Sequence, residues 1–179
     1  MGKSDGNKRP NRHTKNKQGN NNHGDNKLIG KPELRGHYFK VANPDAFNKT
    51  MKAIIEFVQM TYQSSKDICR LLETLEEVDF PPPTQPVDGN GNLIPETQMT
   101  FVQKEQIKSE FKKRNRAEEF YNNNKTQVVG LLLGQCYNNM KHKLEGLGNW
   151  VDIKRDPVGL IMAIKAQSFK YRENEYSGE

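Results

Sequence analysis

The chain has 179 residues, 33% of them hydrophobic and 28% charged, with a net charge of +6 and a mean hydropathy of −0.95. That length fits one domain, but so low an apolar content leaves part of the chain unable to offset the entropy of ordering a backbone. A membrane span is excluded, because the most apolar run, Val128-Val129-Gly130-Leu131-Leu132-Leu133-Gly134, falls far short of the roughly 20 residues required.

Charge separates the chain into two parts. Residues 1–27 hold Lys3, Lys8, Arg9, Arg12, Lys15, Lys17 and Lys27 against Asp5 and Asp25, a net charge of +5, and the remaining residues together carry +1. Asn, Gly, Lys and Arg dominate this stretch and Met1 is its one apolar residue, so a disordered basic tail is expected. Basic side chains at short intervals with no aromatic between them suit sequence-independent attraction to phosphates. The same residues also suit a solubilising tail or a nuclear import signal. No signal peptide is evident, and Met1-Gly2-Lys3-Ser4-Asp5-Gly6 lacks the Ser or Thr at position six that favours myristoylation. The expected compartment is the cytoplasm, with the nucleus as a second choice, and Cys69 and Cys136 are expected to be free, buried thiols.

Residues 28–179 read as a helical body. Leu28 to Ala42 mixes apolar and aromatic residues with Gly30, Pro32 and Gly36, which predicts an extended segment packed onto that body. Asn43-Pro44-Asp45 is a helix start: an N-cap, proline at the first helical position and an acid in the first turn. Phe47, Met51, Ile54, Ile55, Val58 and Tyr62 supply its apolar face. A second helix begins at Ser64-Ser65-Lys66-Asp67, buries Ile68, Cys69, Leu71, Leu72 and Leu75, and is expected to end at Phe80-Pro81-Pro82-Pro83. The Pro/Gly-rich loop at about 80–96 contains Asp88-Gly89-Asn90-Gly91-Asn92, which looks like half of an EF-hand. Leu93 and Met99 stand where such a loop needs Gly and Glu, so a flexible turn is expected there.

From about Glu96 to Tyr121 the pattern is helical but polar, with an intermittent buried edge of Phe101, Ile107, Phe111, Phe120 and Tyr121. Lys112, Lys113, Arg114 and Arg116 form a basic cluster that reads as a solvated face or as an RNA contact. Asn122-Asn123-Asn124 is expected to weaken or bend the chain. The stretch Gln127–Leu147 then predicts one continuous core helix. Val128, Leu131, Leu132, Gln135, Cys136, Asn139, Met140, Leu144 and Leu147 share a stripe, with Lys141, His142, Lys143 and Glu145 opposite. Gly130 and Gly134 each cost about 1 kcal/mol in a helix, which predicts a close backbone approach at both. A last helix starts at Asp156-Pro157 and turns Leu160, Ile161, Ile164 and Phe169 inwards; Tyr171 and Tyr176 follow it.

No GxSxG, Walker loop, GxGxxG or HExxH occurs, and the four histidines and two cysteines lack ligand-like spacing. The expectation is therefore no enzyme activity, no cofactor, no metal and no small-molecule substrate.

The order of segments carries a resemblance. Gly134-Gln135-Cys136, followed by Met140, Lys141, Lys143, Leu144, Glu145 and Leu147, resembles the "GQC…M/L..KLE.L" signature of Gag-like proteins of copia-type LTR retrotransposons. Gly30-Lys31-Pro32-Glu33-Leu34-Arg35-Gly36-His37 is similar to their "G…ELKGH" entry segment. Phe47, Lys49, Thr50 and Ile54 to Val58 are similar to their "F.KT…I.E.V" helix. The proline-rich loop, Phe111-Lys112-Lys113-Arg114, and Asp156 to Tyr171 follow in the same order, so the resemblance spans about residues 28–176. It implies an all-α, capsid-like small helical bundle that self-associates and packages RNA, with the basic tail neutralising phosphates. The pattern departs from a complete Gag in having no zinc knuckle and no protease triad, and the sequence stops soon after Tyr171. A truncated element, or a monomeric nucleic-acid-binding or adaptor module derived from one, is the alternative expectation.

Overall fold

The computed structural model describes residues 30–170, together with Gly2, and the expected tail, Tyr171 and Tyr176 lie outside the described residues. Six α-helices and two short 3-10 turns make up the described residues, with isolated bridges and no strand: α1 (Pro44–Thr61), α2 (Lys66–Thr74), α3 (Phe101–Gly134), α4 (Asn138–Glu145), α5 (Trp150–Ile153) and α6 (Pro157–Ser168). The all-α bundle read from periodicity is the observed class.

Helix starts follow the local chemistry. Asn43 Oδ1 accepts from the Ala46 N–H at 2.9 Å, and both oxygens of Asp156 accept from the first turn of α6, at Val158 and Gly159. Proline occupies the first position of each helix, where its missing N–H costs nothing. At the head of α3, Thr100 and Gln103 form a reciprocal capping box.

The central helix is α6, and this corrects the expectation that Gln127–Leu147 is the axis of the fold. Every other helix packs against α6, whose buried residues Pro157, Leu160, Ile161, Ile164, Gln167 and Ser168 recur at steps of three and four along one face, with Met162, Lys165 and Ala166 exposed on the other. Against it lie Phe47, Met51, Ile54 and Val58 of α1, Ile68, Leu71 and Leu72 of α2, Val128, Leu131 and Leu132 of α3, and Met140 and Leu144 of α4. Phe169 is 39% exposed, although its ring still meets that of Phe47 at 5.9 Å.

The expected single helix from Gln127 to Leu147 is two helices. α3 ends at Gly134, the chain straightens through Gln135–Tyr137, and α4 resumes at Asn138. The cause lies about 100 residues upstream. The Phe39 N–H donates to the Gln135 carbonyl (2.8 Å), the Tyr137 N–H donates to the Phe39 carbonyl (3.2 Å), and Phe39 and Cys136 form a parallel bridge. The Gln135 side chain, with no exposure, donates from Nε2 to the carbonyls of Leu34 (3.1 Å) and His37 (2.6 Å) and accepts at Oε1 from the Lys31 N–H (3.1 Å). Helical backbone bonds are exchanged for bonds to residues 31–39, so the extended segment becomes part of the core and Phe39 is fully buried.

Close approach occurs at Gly30 instead of Gly130. A Cβ on Gly30 would collide with the Gln135 amide and press on the Gly134 carbonyl, whereas one on Gly130, which is exposed, would meet nothing within 4 Å. Asn139 is also exposed, although the stripe placed it inside.

Two further boundaries differ from expectation. α2 stops at Thr74, well before the prolines, because Leu75 takes a left-handed conformation (φ 59°). The reversal lets the Val78 N–H donate to the Tyr121 hydroxyl, which itself donates to Glu77, and Lys125 pairs with the same carboxylate. α3 runs through Asn122–Asn124 unbroken, because Asn124 is buried and its Nδ2 donates to the Gln63 carbonyl at 2.9 Å. At 34 residues α3 is roughly 50 Å long. All its fully buried residues lie from Tyr121 onwards, so Phe101–Phe120 projects from the body; of the expected edge Tyr121 is buried, Ile107 and Phe120 are half-buried, and Phe101 and Phe111 are exposed. The turn at Asp88–Asn92 is hydrogen-bonded: Asp88 Oδ1 accepts from the N–H groups of Asn90 and Asn92, and these bonds hold its carboxyl below the usual range.

Replacing Gln135 by Leu keeps the volume but removes three hydrogen bonds to the entry segment, two of them partly buried and one, to Leu34, buried, although the Leu34 carbonyl still accepts from the His37 N–H. Each lost bond is worth about 1 kcal/mol. We expect a loss of roughly 2–3 kcal/mol in urea unfolding, whereas Asn139→Ala changes stability by less than about 0.5 kcal/mol. A loss below about 1 kcal/mol for Gln135→Leu contradicts this account of the helix break.

Candidate nucleic-acid interface

Lys3, Lys8, Arg9, Arg12, Lys15, Lys17 and Lys27 lie outside the described residues. Of the second basic group, Lys112, Lys113 and Arg116 are exposed on the projecting half of α3. Lys104, Lys108, Lys112 and Arg116 follow one another at i,i+4 steps, a gently winding ridge roughly 18 Å long. Glu105, Glu110, Glu118 and Glu119 lie beside it, and Lys108 already pairs with Glu105 at 3.5 Å. The ridge can meet phosphates, but at a small net charge.

Arg114 is separate from that ridge. It is half-buried, its Nε donates to the Phe80 carbonyl at 2.8 Å, and its guanidinium pairs with Glu118 at 3.2 Å. Arg114 therefore pins the start of the proline-rich loop to α3. The Phe80 ring adds to the anchor, 5.4 Å from that of Tyr121.

Of the expected core residues, Val128, Leu131, Leu132, Cys136, Met140 and Leu144 are buried, Gly134 and Leu147 are half-buried, and Gly130 is exposed.

The fold also builds a surface that the sequence reading missed. The segment after Gly36 and the break after Gln135 bring Tyr38 and Tyr137 together, edge to face, with ring centres 5.4 Å apart. The Lys40 ammonium stands over the Tyr137 ring at 5.2 Å. Two neighbouring depressions share Lys40 and Asn43: one is bounded by Tyr137 and Asn139, the other by His37, Tyr38, Asp45 and Lys49. Only the repeated occurrence of Tyr and Lys around Phe39 and Cys136 hinted at this surface, and residues 99 positions apart give no periodic signal.

Reactive groups are muted where the structure places them. Burial pushes the Cys136 thiol up to about 12, with Lys141 pulling weakly the other way, and its Sγ–H donates to the Leu132 carbonyl at 3.3 Å. Cys69 is half-buried, and its thiol is raised by burial and then by Glu73. His142 is exposed beside Glu145, at 3.6 Å. Among the described residues no three His, Cys, Asp or Glu side chains gather as a metal site, and no helix is long and apolar enough to cross a membrane.

The Tyr121 hydroxyl is likewise pushed up to about 12, chiefly by burial, with the Val78 N–H opposing and Glu77 reinforcing. Both groups have folded-state values above their ordinary ones of 9.0 and 10.0. Their contribution to stability is complete below those ordinary values and is lost as pH climbs from about 9 towards 12. Urea midpoints are expected to fall over that window, and to fall less steeply in Cys136→Ala and in Tyr121→Phe. In the folded protein at pH 8, a thiol reagent should modify Cys69 slowly and Cys136 only after unfolding. Native-state labelling of Cys136 at the Cys69 rate contradicts this placement.

Compared with protein-family models, curated proteins and solved structures, the chain matches none.

Proposed function

We propose that this chain is a structural, Gag-like protein that self-associates and holds RNA without sequence preference, chiefly through the basic residues of 1–27. The supporting observation is the contact at Gln135. Two of the segments that carry the Gag-like resemblance, Gly30–His37 and Gly134-Gln135-Cys136, lie about 100 residues apart in sequence yet interlock through three hydrogen bonds of one buried amide. The resembling motifs thus belong to one packed unit. Charge placement supports the nucleic-acid part, since residues 1–27 carry +5 of the total +6. Self-association draws support from the projecting half of α3, where Phe101 and Val102 are 79% and 72% exposed at the tip. In this reading catalysis is no part of the role: the body presents surfaces, and the tail gathers phosphates.

Seven basic side chains on a single strand predict a slope of about −5 for log affinity against log salt. Fluorescence anisotropy with unrelated RNA sequences should give equal affinities and that slope, and removal of residues 1–27 should take away most of the binding. Unchanged affinity after the deletion refutes assignment of binding to the tail. Light scattering at high protein concentration with RNA should show growing assemblies; a persistent monomer favours the monomeric-module reading over the shell.

A further inference from the structure

The Tyr38–Tyr137 surface has the chemistry of a seat for exposed bases. We propose that single-stranded nucleic acid stacks a base on this aromatic pair, with Lys40 and Lys49 taking the adjoining phosphates. The proposal deepens the nucleic-acid reading above and rests on it.

Three observations carry it. The two rings are half-buried and held by backbone, Tyr38 through the Phe39 hydrogen bonds and Tyr137 through its N–H to the Phe39 carbonyl, so stacking costs little ordering. Tolerant stacking on aromatic side chains beside a positive groove is how proteins hold single strands without reading sequence. Next, Lys40 is exposed and rests on the Tyr137 ring, so its ammonium can swing onto a phosphate and leave the ring face to a base. Finally, the local charge balance favours an anion: Lys40 and Lys49 line the depressions against Asp45 alone, whereas four glutamates flank the α3 ridge. The position suits the tail as well, because residues 1–29 join the body at Gly30, which abuts Gln135, two residues before Tyr137. A duplex has its bases stacked internally and offers only phosphates to such a seat, so preference for the single strand is the signature.

The test uses the full chain and two labelled probes of equal length, a single-stranded oligouridine and a duplex, read by anisotropy. Tyr137→Leu is expected to weaken single-strand binding about tenfold, the scale of one lost base–aromatic stack, while leaving duplex binding and its salt slope unchanged. Lys40→Gln should lower the salt slope by about one on the single strand. In the unmodified chain, photo-crosslinking to a bromouridine-substituted strand should mark the peptide containing Tyr38 or that containing Tyr137. This readout decides the matter even if a variant fails to fold. Wild-type affinity in Tyr137→Leu, or crosslinks confined to residues 1–27 and α3, overturns the seat and leaves the tail reading standing. Failure of the unmodified chain to bind either probe removes both.

Discussion

One buried amide holds this fold together. Gln135 sits where two pieces of chain must share a core, and its side chain bonds three backbone groups of residues 31–37. A buried polar group is costly alone and specific when satisfied. An apolar residue there would fill the space equally well but would leave the register to the backbone bonds of Phe39 alone. The amide and the Phe39 backbone bonds together fix the register, and with it the burial of Phe39, the bridge to Cys136, and the position of both tyrosines beside them. Gly30 is glycine because a side chain would strike that same amide.

The molecule divides its work between halves of unlike composition. Around α6, burial dominates, with each enclosed Leu, Ile or Val contributing roughly 1.5–3 kcal/mol. Along the outer half of α3, the capping box contributes about 1 kcal/mol and the exposed i,i+3 and i,i+4 pairs only tenths each, so the projecting turns depend on continuity with the buried ones.

How much of this could be read from sequence depended on the range of the cause. Asn43-Pro44-Asp45 and Asp156-Pro157 announced their helices because a cap is a contact between neighbours. The body's apolar residues were likewise legible, since Val128, Leu131, Met140 and Leu144 keep helical spacing across the break. The break itself was not legible, because Gly134-Gln135-Cys136 looks helical until Phe39 arrives from elsewhere. Asn124 was misread for the same reason: three asparagines suggest a bend, and only the Gln63 carbonyl makes one of them a core residue. Arg114 and Lys113 look alike in a row of basic residues, yet the Phe80 carbonyl takes one and leaves the other to solvent. The aromatic pair lay beyond any local rule, as it exists only once the entry segment is seated.

The unbroken length of α3 carries a mechanical consequence. Its outer end stands roughly 30 Å from the anchoring turn at Tyr121, so the rod works as a cantilever. A tilt of about five degrees at the root sweeps the far end through roughly 3 Å, close to the rise of two helical residues. Small repacking beneath Tyr121 is thereby magnified into the spacing between whatever grips the two ends.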